Sequence, residues 1–206
     1  LRRLARGFPI VVITGPRQAG KTTLARQVFA DKPYITLEDP EEREFALSDP
    51  RRFLMRFPDG AILDEVQRCP ELLSYLQGVV DERRRMGEFV LTGSQQFGLL
   101  SGITQTLAGR VGLVQLLPFS IAELRLAGKL PADLDKLLLQ GGYPPLYDRQ
   151  VAPADWFPNY VNTYIERDVR QVLAVRDLAL FQRFLRLCAA RSGQLLNLSS
   201  LGADCG

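Results

Sequence analysis

The chain has 206 residues, 46% of them hydrophobic, and a formal net charge of +3. That length supports one main core with a small appendage. The modest, interspersed charge argues against a polycationic nucleic-acid surface, and no run approaches the roughly 18 apolar residues that cross a bilayer, so a soluble cytoplasmic protein with no membrane contact is expected. Histidine is absent, so acid–base chemistry must come from carboxylates, and Cys69, Cys188 and Cys205 fit neither a disulfide framework nor a zinc site.

Taken in chain order, Phe8 to Thr14 is a β-branched apolar strand running into a Gly-rich turn, and Thr22 to Ala30 continues at helical spacing. Tyr34 to Leu37 is a short strand. Asp39 caps a helix opened by Pro40 and running to about Leu47, and Pro50 to Phe57 is another short helix. Pro58-Asp59-Gly60 turns the chain into the strand Ala61-Ile62-Leu63, with Asp64 and Glu65 at its end. A helix from Pro70 to about Arg85 buries Leu72, Leu73, Leu76, Val79 and Val80 on one stripe, and its Arg83-Arg84-Arg85 run reads as a solvated helix end. Phe89 to Leu91 is the fourth strand, Ile103 to Ala108 is helical, and Val111 to Leu116 is the fifth strand.

Short apolar strands alternating with helices imply right-handed crossovers and a parallel sheet covered on both faces. The expected fold is therefore α/β, a three-layer sandwich with five parallel strands. Beyond Ser120 only helical patterns follow, over Ser120 to Ala127, Asp133 to Gln140, Asp155 to Val175 and Leu178 to Ala190, with Gly141 to Pro145 as a loop. The expected organisation is a core over 1–128, a helical lid-like extension over 129–195, and the start of a further part over 196–206.

The string Gly15-Pro16-Arg17-Gln18-Ala19-Gly20-Lys21-Thr22-Thr23 fits G-x-x-x-x-G-K-[ST] directly after a strand and opening a helix. In such a loop, backbone N–H groups and the helix N-terminus face phosphates, Lys21 bridges the β- and γ-phosphates, and Thr22 offers a hydroxyl to Mg²⁺. Asp64 and Glu65 end another strand on the same expected edge, where Asp64 suits Mg²⁺ and Glu65 suits the activation of water. One strand, Tyr34 to Leu37, intervenes between the phosphate-loop strand and this one, which suggests the P-loop division with a catalytic glutamate, in which the two strands flank another one. Ser94 is a candidate contact to the γ-phosphate or the water. Arg110 is the candidate arginine finger, expected from its own chain because it directly precedes a strand of the same sheet, with Arg167 and Arg170 as rivals.

The strings GPRQAGKTT, LEDP, ILDEVQRCPELLSYLQ, LTGSQQF, LAGR, LLPFS, GGYP and YIERDVR, in that order, resemble the AAA-type ATPases of the AAA_14 family, ATP-binding proteins usually followed by a DUF4143 domain. The resemblance implies an ATPase core of the additional-strand, catalytic-glutamate division with ATP and Mg²⁺ as cofactors. It also implies a helical extension and a winged-helix C-terminal part, begun at Leu198 to Leu201 and truncated at Gly206, through which a DNA or protein partner would act. Two functions follow as expectations: an Mg-dependent ATPase whose turnover moves the helical extension, or a slow regulatory switch that binds ATP tightly. A small-molecule kinase and a GTPase fit less well, since neither an Arg-rich lid nor an Asn-Lys-x-Asp segment is present.

Overall fold

The structure, a computed structural model, describes residues 1–94, 103, 105–149, 151–164 and 177–205. Five strands, β1 (Ile10–Thr14), β2 (Tyr34–Thr36), β3 (Ile62–Asp64), β4 (Phe89–Thr92) and β5 (Val111–Gln115), form one sheet in the order β2-β3-β4-β1-β5. Every pairing is parallel. The strand lying between β1 and β3 in space is β4, while β2, which intervenes in sequence, is an edge strand.

Period-2 side-chain alternation sorts the apolar residues of the strands into two buried layers. Ile10, Val12, Leu63, Phe89 and Leu91 face one cluster with Leu37, Phe53, Leu72 and Leu76. Val11, Ile13, Ile62 and Val90 face the other with Ala25 and Phe29. Along β1, β3 and β4 both faces of the sheet are therefore buried, which is why these strands read as unbroken apolar runs, while the edge strand β5 exposes Leu113 and Gln115.

Around the sheet lie α1 (Arg2–Ala5), α2 (Lys21–Val28), α3 (Pro40–Ser48), α4 (Pro50–Met55) and α5 (Leu72–Arg83). The expected cap at Asp39 forms, its side chain accepting from Glu41 N–H, and Asp49, not singled out in the sequence, accepts from Arg52 N–H in the same way, each with a proline in the first turn. After β5 come α6 (Ile121–Leu126), which Ser120 and Glu123 start with a reciprocal capping box, and α7 (Leu134–Gln140), capped by Asp133. Pro144 and Pro145, expected in a loop, instead open a short helix, α8 (Pro144–Asp148); proline suits the first turn, where its missing N–H has no partner to lose.

The chain divides into two compact units, Leu1–Pro153 and Ala154–Gly206. The division expected at residue 129 differs from this, because residues 129–153 pack with the sheet unit. Phe119 N–H donates to the Gly142 carbonyl at 2.7 Å, and Lys129 Nζ donates to the Tyr147 carbonyl at 3.2 Å. The second unit is helical, with most of α9 (Pro153–Tyr164), α10 (Leu178–Ala190) and α11 (Leu198–Cys205). Within it Trp156 stacks on Tyr160, Asp177 caps α10, and Arg191 pairs with Asp204. The rest of the helix expected to reach Val175 lies outside the described residues. No helix among the described residues is long and apolar enough to cross a membrane.

Candidate functional site

All five residues of β1 are buried, and the chain must reverse sharply where the strand ends. Gly15 makes that reversal at φ 147°, where a Cβ would stand 2.0 Å from the Leu116 carbonyl oxygen, so only glycine passes beside the chain leaving β5. Gln18 and Gly20 are also left-handed, at φ 60° and 92°. This alternation curls the loop and turns successive N–H groups inward, and α2 begins at Lys21 with its first-turn donors on the same side. The buried Lys21 ammonium donates to the carbonyls of Gly15 at 3.1 Å and Pro16 at 2.8 Å, which hold it across the loop.

One turn of chemistry away, three hydroxyls converge on the Asp64 carboxylate. Thr22 Oγ1 lies 3.0 and 3.2 Å from its two oxygens, Tyr34 donates at 2.8 Å, and Thr92 donates as well. The register explains the meeting. Ile62 pairs with Tyr34 on one side and Val90 on the other, so Tyr34, Asp64 and Thr92 continue the sheet face that packs on α2. Burial together with the adjacent Asp64 pushes the Tyr34 hydroxyl up to about 12, so it remains a donor. A hydroxyl and a carboxylate side by side are hard oxygen ligands that fit Mg²⁺ when phosphate oxygens and water supply the rest. Among the described residues no cluster of three or more His, Cys, Asp or Glu side chains that could hold a metal ion exists.

Glu65 stands just past β3 in the left-handed region, φ 55° and ψ 44°, a conformation that costs a non-glycine residue on the order of 1 kcal/mol or more. The 3₁₀ turn Val66–Arg68 follows, anchored by the fully buried Val66 and Cys69. Gln67 in that turn donates its side-chain amide both to the Glu65 carboxylate and, at 3.2 Å, to Ser94 Oγ at the end of β4. Burial raises the Glu65 carboxyl above its ordinary value, while the Gln67 hydrogen bond and the charges of Arg17 and Lys21 pull it down.

The predicted residues Gly15 to Thr23, Asp64, Glu65 and Ser94 thus gather where β1, β3 and β4 end. Arg110 does not. It precedes β5, and its carbonyl accepts from Ile10 N–H at the start of β1, so it lies on the opposite edge of the sheet. Five strand residues separate the two edges, about 17 Å at the usual rise. Preceding a strand of a parallel sheet places a residue at the edge away from the phosphate loop, which corrects the expectation that Arg110 reaches the phosphates of its own chain. Its guanidinium instead grips Asp81 at 2.6 and 2.7 Å. Arg167 and Arg170 lie outside the described residues. Reading the sequence did not single out Tyr34, Thr92 or Gln67.

Beside the phosphate loop a cleft of about 500 Å³ opens, lined among others by Gly20, Thr23, Leu24, Leu116, Phe119 and Tyr147. Phe119 and Tyr147 meet edge to face at 6.1 Å, giving the cleft an aromatic wall.

The family model AAA_14, an AAA domain, matches residues 7–125, more than half of the chain. The chain belongs to the AAA_14 family. The DUF8612 model, a domain of unknown function, matches residues 131–206, so the segment following this AAA domain resembles a model other than DUF4143. Uncharacterized proteins of Mycobacterium tuberculosis and Mycobacterium bovis are each 35% identical over 205 residues, which covers 98% of this chain and 45% of theirs. The chain therefore spans less than half the length of these curated relatives. A solved structure, the Walker-type ATPase PABY2304 of Pyrococcus abyssi, aligns with a TM-score of 0.51 at 16% identity, covering 98% of this chain and 85% of that one. That likeness concerns the fold. Family and fold together make this AAA_14 domain an ATP-binding P-loop protein.

Proposed function

We propose that this AAA_14 domain is an Mg-dependent ATPase working at the edge where β1, β3 and β4 end. The observation that carries the reading is the convergence of Lys21, Thr22, Asp64, Glu65 and Ser94 on one region from three separate strands. In this reading the N–H groups of the loop and the Lys21 ammonium hold the β- and γ-phosphates. Thr22 and Asp64 hold Mg²⁺, which neutralises charge on the phosphates when bound. Glu65 orients a water and accepts its proton, and Ser94 aligns the water or the γ-phosphate. The cleft walled by Leu116, Phe119 and Tyr147 takes the base. The helical extension beyond Pro153 is the part that responds to the nucleotide, coupled to whatever follows position 196.

Glu65→Gln keeps size and most hydrogen bonding but removes the charge that accepts the proton. Phosphate release should fall by roughly 10²–10⁴ while ATP affinity is retained or rises. Equal loss of affinity and rate would make Glu65 a binding or structural residue and end the hydrolytic reading.

A second reading, a slow regulatory switch that stays loaded with ATP, draws support from the Gln67 amide already engaging the Glu65 carboxylate. The ratio of steady-state turnover to nucleotide dissociation separates the two. Turnover slower than dissociation favours the switch.

A further inference from the structure

Gln67 occupies a position that packing alone does not account for. Its half-buried side chain makes two hydrogen bonds, both through the amide nitrogen, to the Glu65 carboxylate and to Ser94 Oγ. Its carbonyl oxygen Oε1 is buried and has no hydrogen-bond partner among the described residues. Leaving a buried acceptor unsatisfied costs about 1–3 kcal/mol, and an apolar side chain of the same length would avoid that cost. A polar residue at such a place calls for a role besides stabilising the fold.

Local geometry indicates what that is. Glu65 is held in the left-handed region by the turn that follows it, which fixes where its Cβ points. Its remaining side-chain torsions still allow the carboxylate to swing. The Gln67 amide fixes the carboxylate from one side and spans to Ser94, joining the end of β3 to the end of β4.

We infer that Gln67 is a positioning residue for the water-activating carboxylate, tying Glu65 to Ser94 so that both face the same water. The inference rests on the reading of Glu65 as the general base. Gln67 touches neither reacting atom in this role; it acts through Glu65.

Gln67→Met tests it, because methionine fills nearly the same space with no hydrogen bonds and no buried carbonyl oxygen. The expected result is an unchanged or higher melting temperature, ATP affinity within about twofold, and turnover lower by about 10- to 100-fold, the size of effect that a misplacement of about 1 Å produces. A structural role predicts the reverse, with stability and affinity lost together. In a Glu65→Gln background, Gln67→Met should lower the residual rate no further, since the carboxylate it positions is gone. Wild-type turnover in Gln67→Met, or equal fractional losses in both backgrounds, would overturn the inference. Raised turnover would overturn it too, by showing that Gln67 holds Glu65 back. Should Glu65→Gln alone keep full turnover, the general-base reading fails first and this inference falls with it; a severe Glu65→Gln defect beside a fully active Gln67→Met refutes the positioning role alone.

Discussion

At the edge where the strands end, Gly15 leaves no room for a side chain, Glu65 sits in a strained conformation, and three hydroxyls crowd one carboxylate. At the edge where the strands begin, charges are paired off sideways: Arg110 with Asp81, and Arg83 with the buried Glu88 at 2.7 Å. The first arrangement aims several polar groups at one region and uses steric tolerance that only glycine supplies. The second fastens helices and connections together. A parallel sheet has one edge at which every strand delivers its chain, and chemistry collects there because several separate segments arrive side by side.

That contrast is open to mutation, beginning with the backbone. Gly15→Ala should destabilise the domain by several kcal/mol and abolish ATP binding, because the new Cβ meets a carbonyl oxygen that cannot move without shifting β5. Its counterpart on the other edge is Gly109, at φ 77° with nothing within 4 Å of a built Cβ. There Gly109→Ala should cost only about 1–2 kcal/mol of left-handed strain and leave ATP affinity alone. Thermal melts with calorimetry on both variants measure the difference, and similar losses at the two edges would erase the distinction.

Asp64→Asn is next in size. The ratio of ATP affinity with Mg²⁺ to that with chelator should fall by about 10- to 100-fold, as the carboxylate nearest Thr22 loses its charge. Thr92→Val and Tyr34→Phe remove one donor each from Asp64 and should lower Mg²⁺ affinity by about tenfold or less, the buried Thr92 having the larger effect. No change in either variant would mean that the hydroxyls merely satisfy the carboxylate. Smallest of all is Arg110→Ala, which should leave ATP affinity and the specific activity of dilute protein unchanged. If activity per molecule of the wild type rises with concentration and the variant's does not, the arginine serves a neighbouring copy.

The Gly15-to-Thr23 loop and the Asp64-Glu65 pair could be placed from the sequence because each is a local event, a strand followed at once by the candidate residues. Helix starts at Asp39, Asp133 and Ser120 were legible for the same reason, since a cap acts within three residues. Position across the sheet was not. The order of strands is set by which apolar faces meet, and nothing local to Tyr34 or Thr92 says that both lie beside Asp64 on the α2 face. Arg110 failed differently: the residue before a strand and the residue after it look equally close in sequence but stand at opposite edges. Gln67 had a signal, an amide two residues past the candidate base, but its contact with Ser94 needed β3 and β4 to be neighbours.

The central claim is that the edge at which the strands end is a phosphate-binding site whose affinity depends on Lys21, and calorimetric titration of Mg-ATP into Lys21→Ala tests it most directly. The buried ammonium now lies across the loop on the Gly15 and Pro16 carbonyls, so its removal takes away the buried positive charge of the loop, leaving Arg17 in place. Lys21→Ala should show no detectable binding while its circular dichroism matches wild type. Wild-type affinity in that folded variant would contradict it.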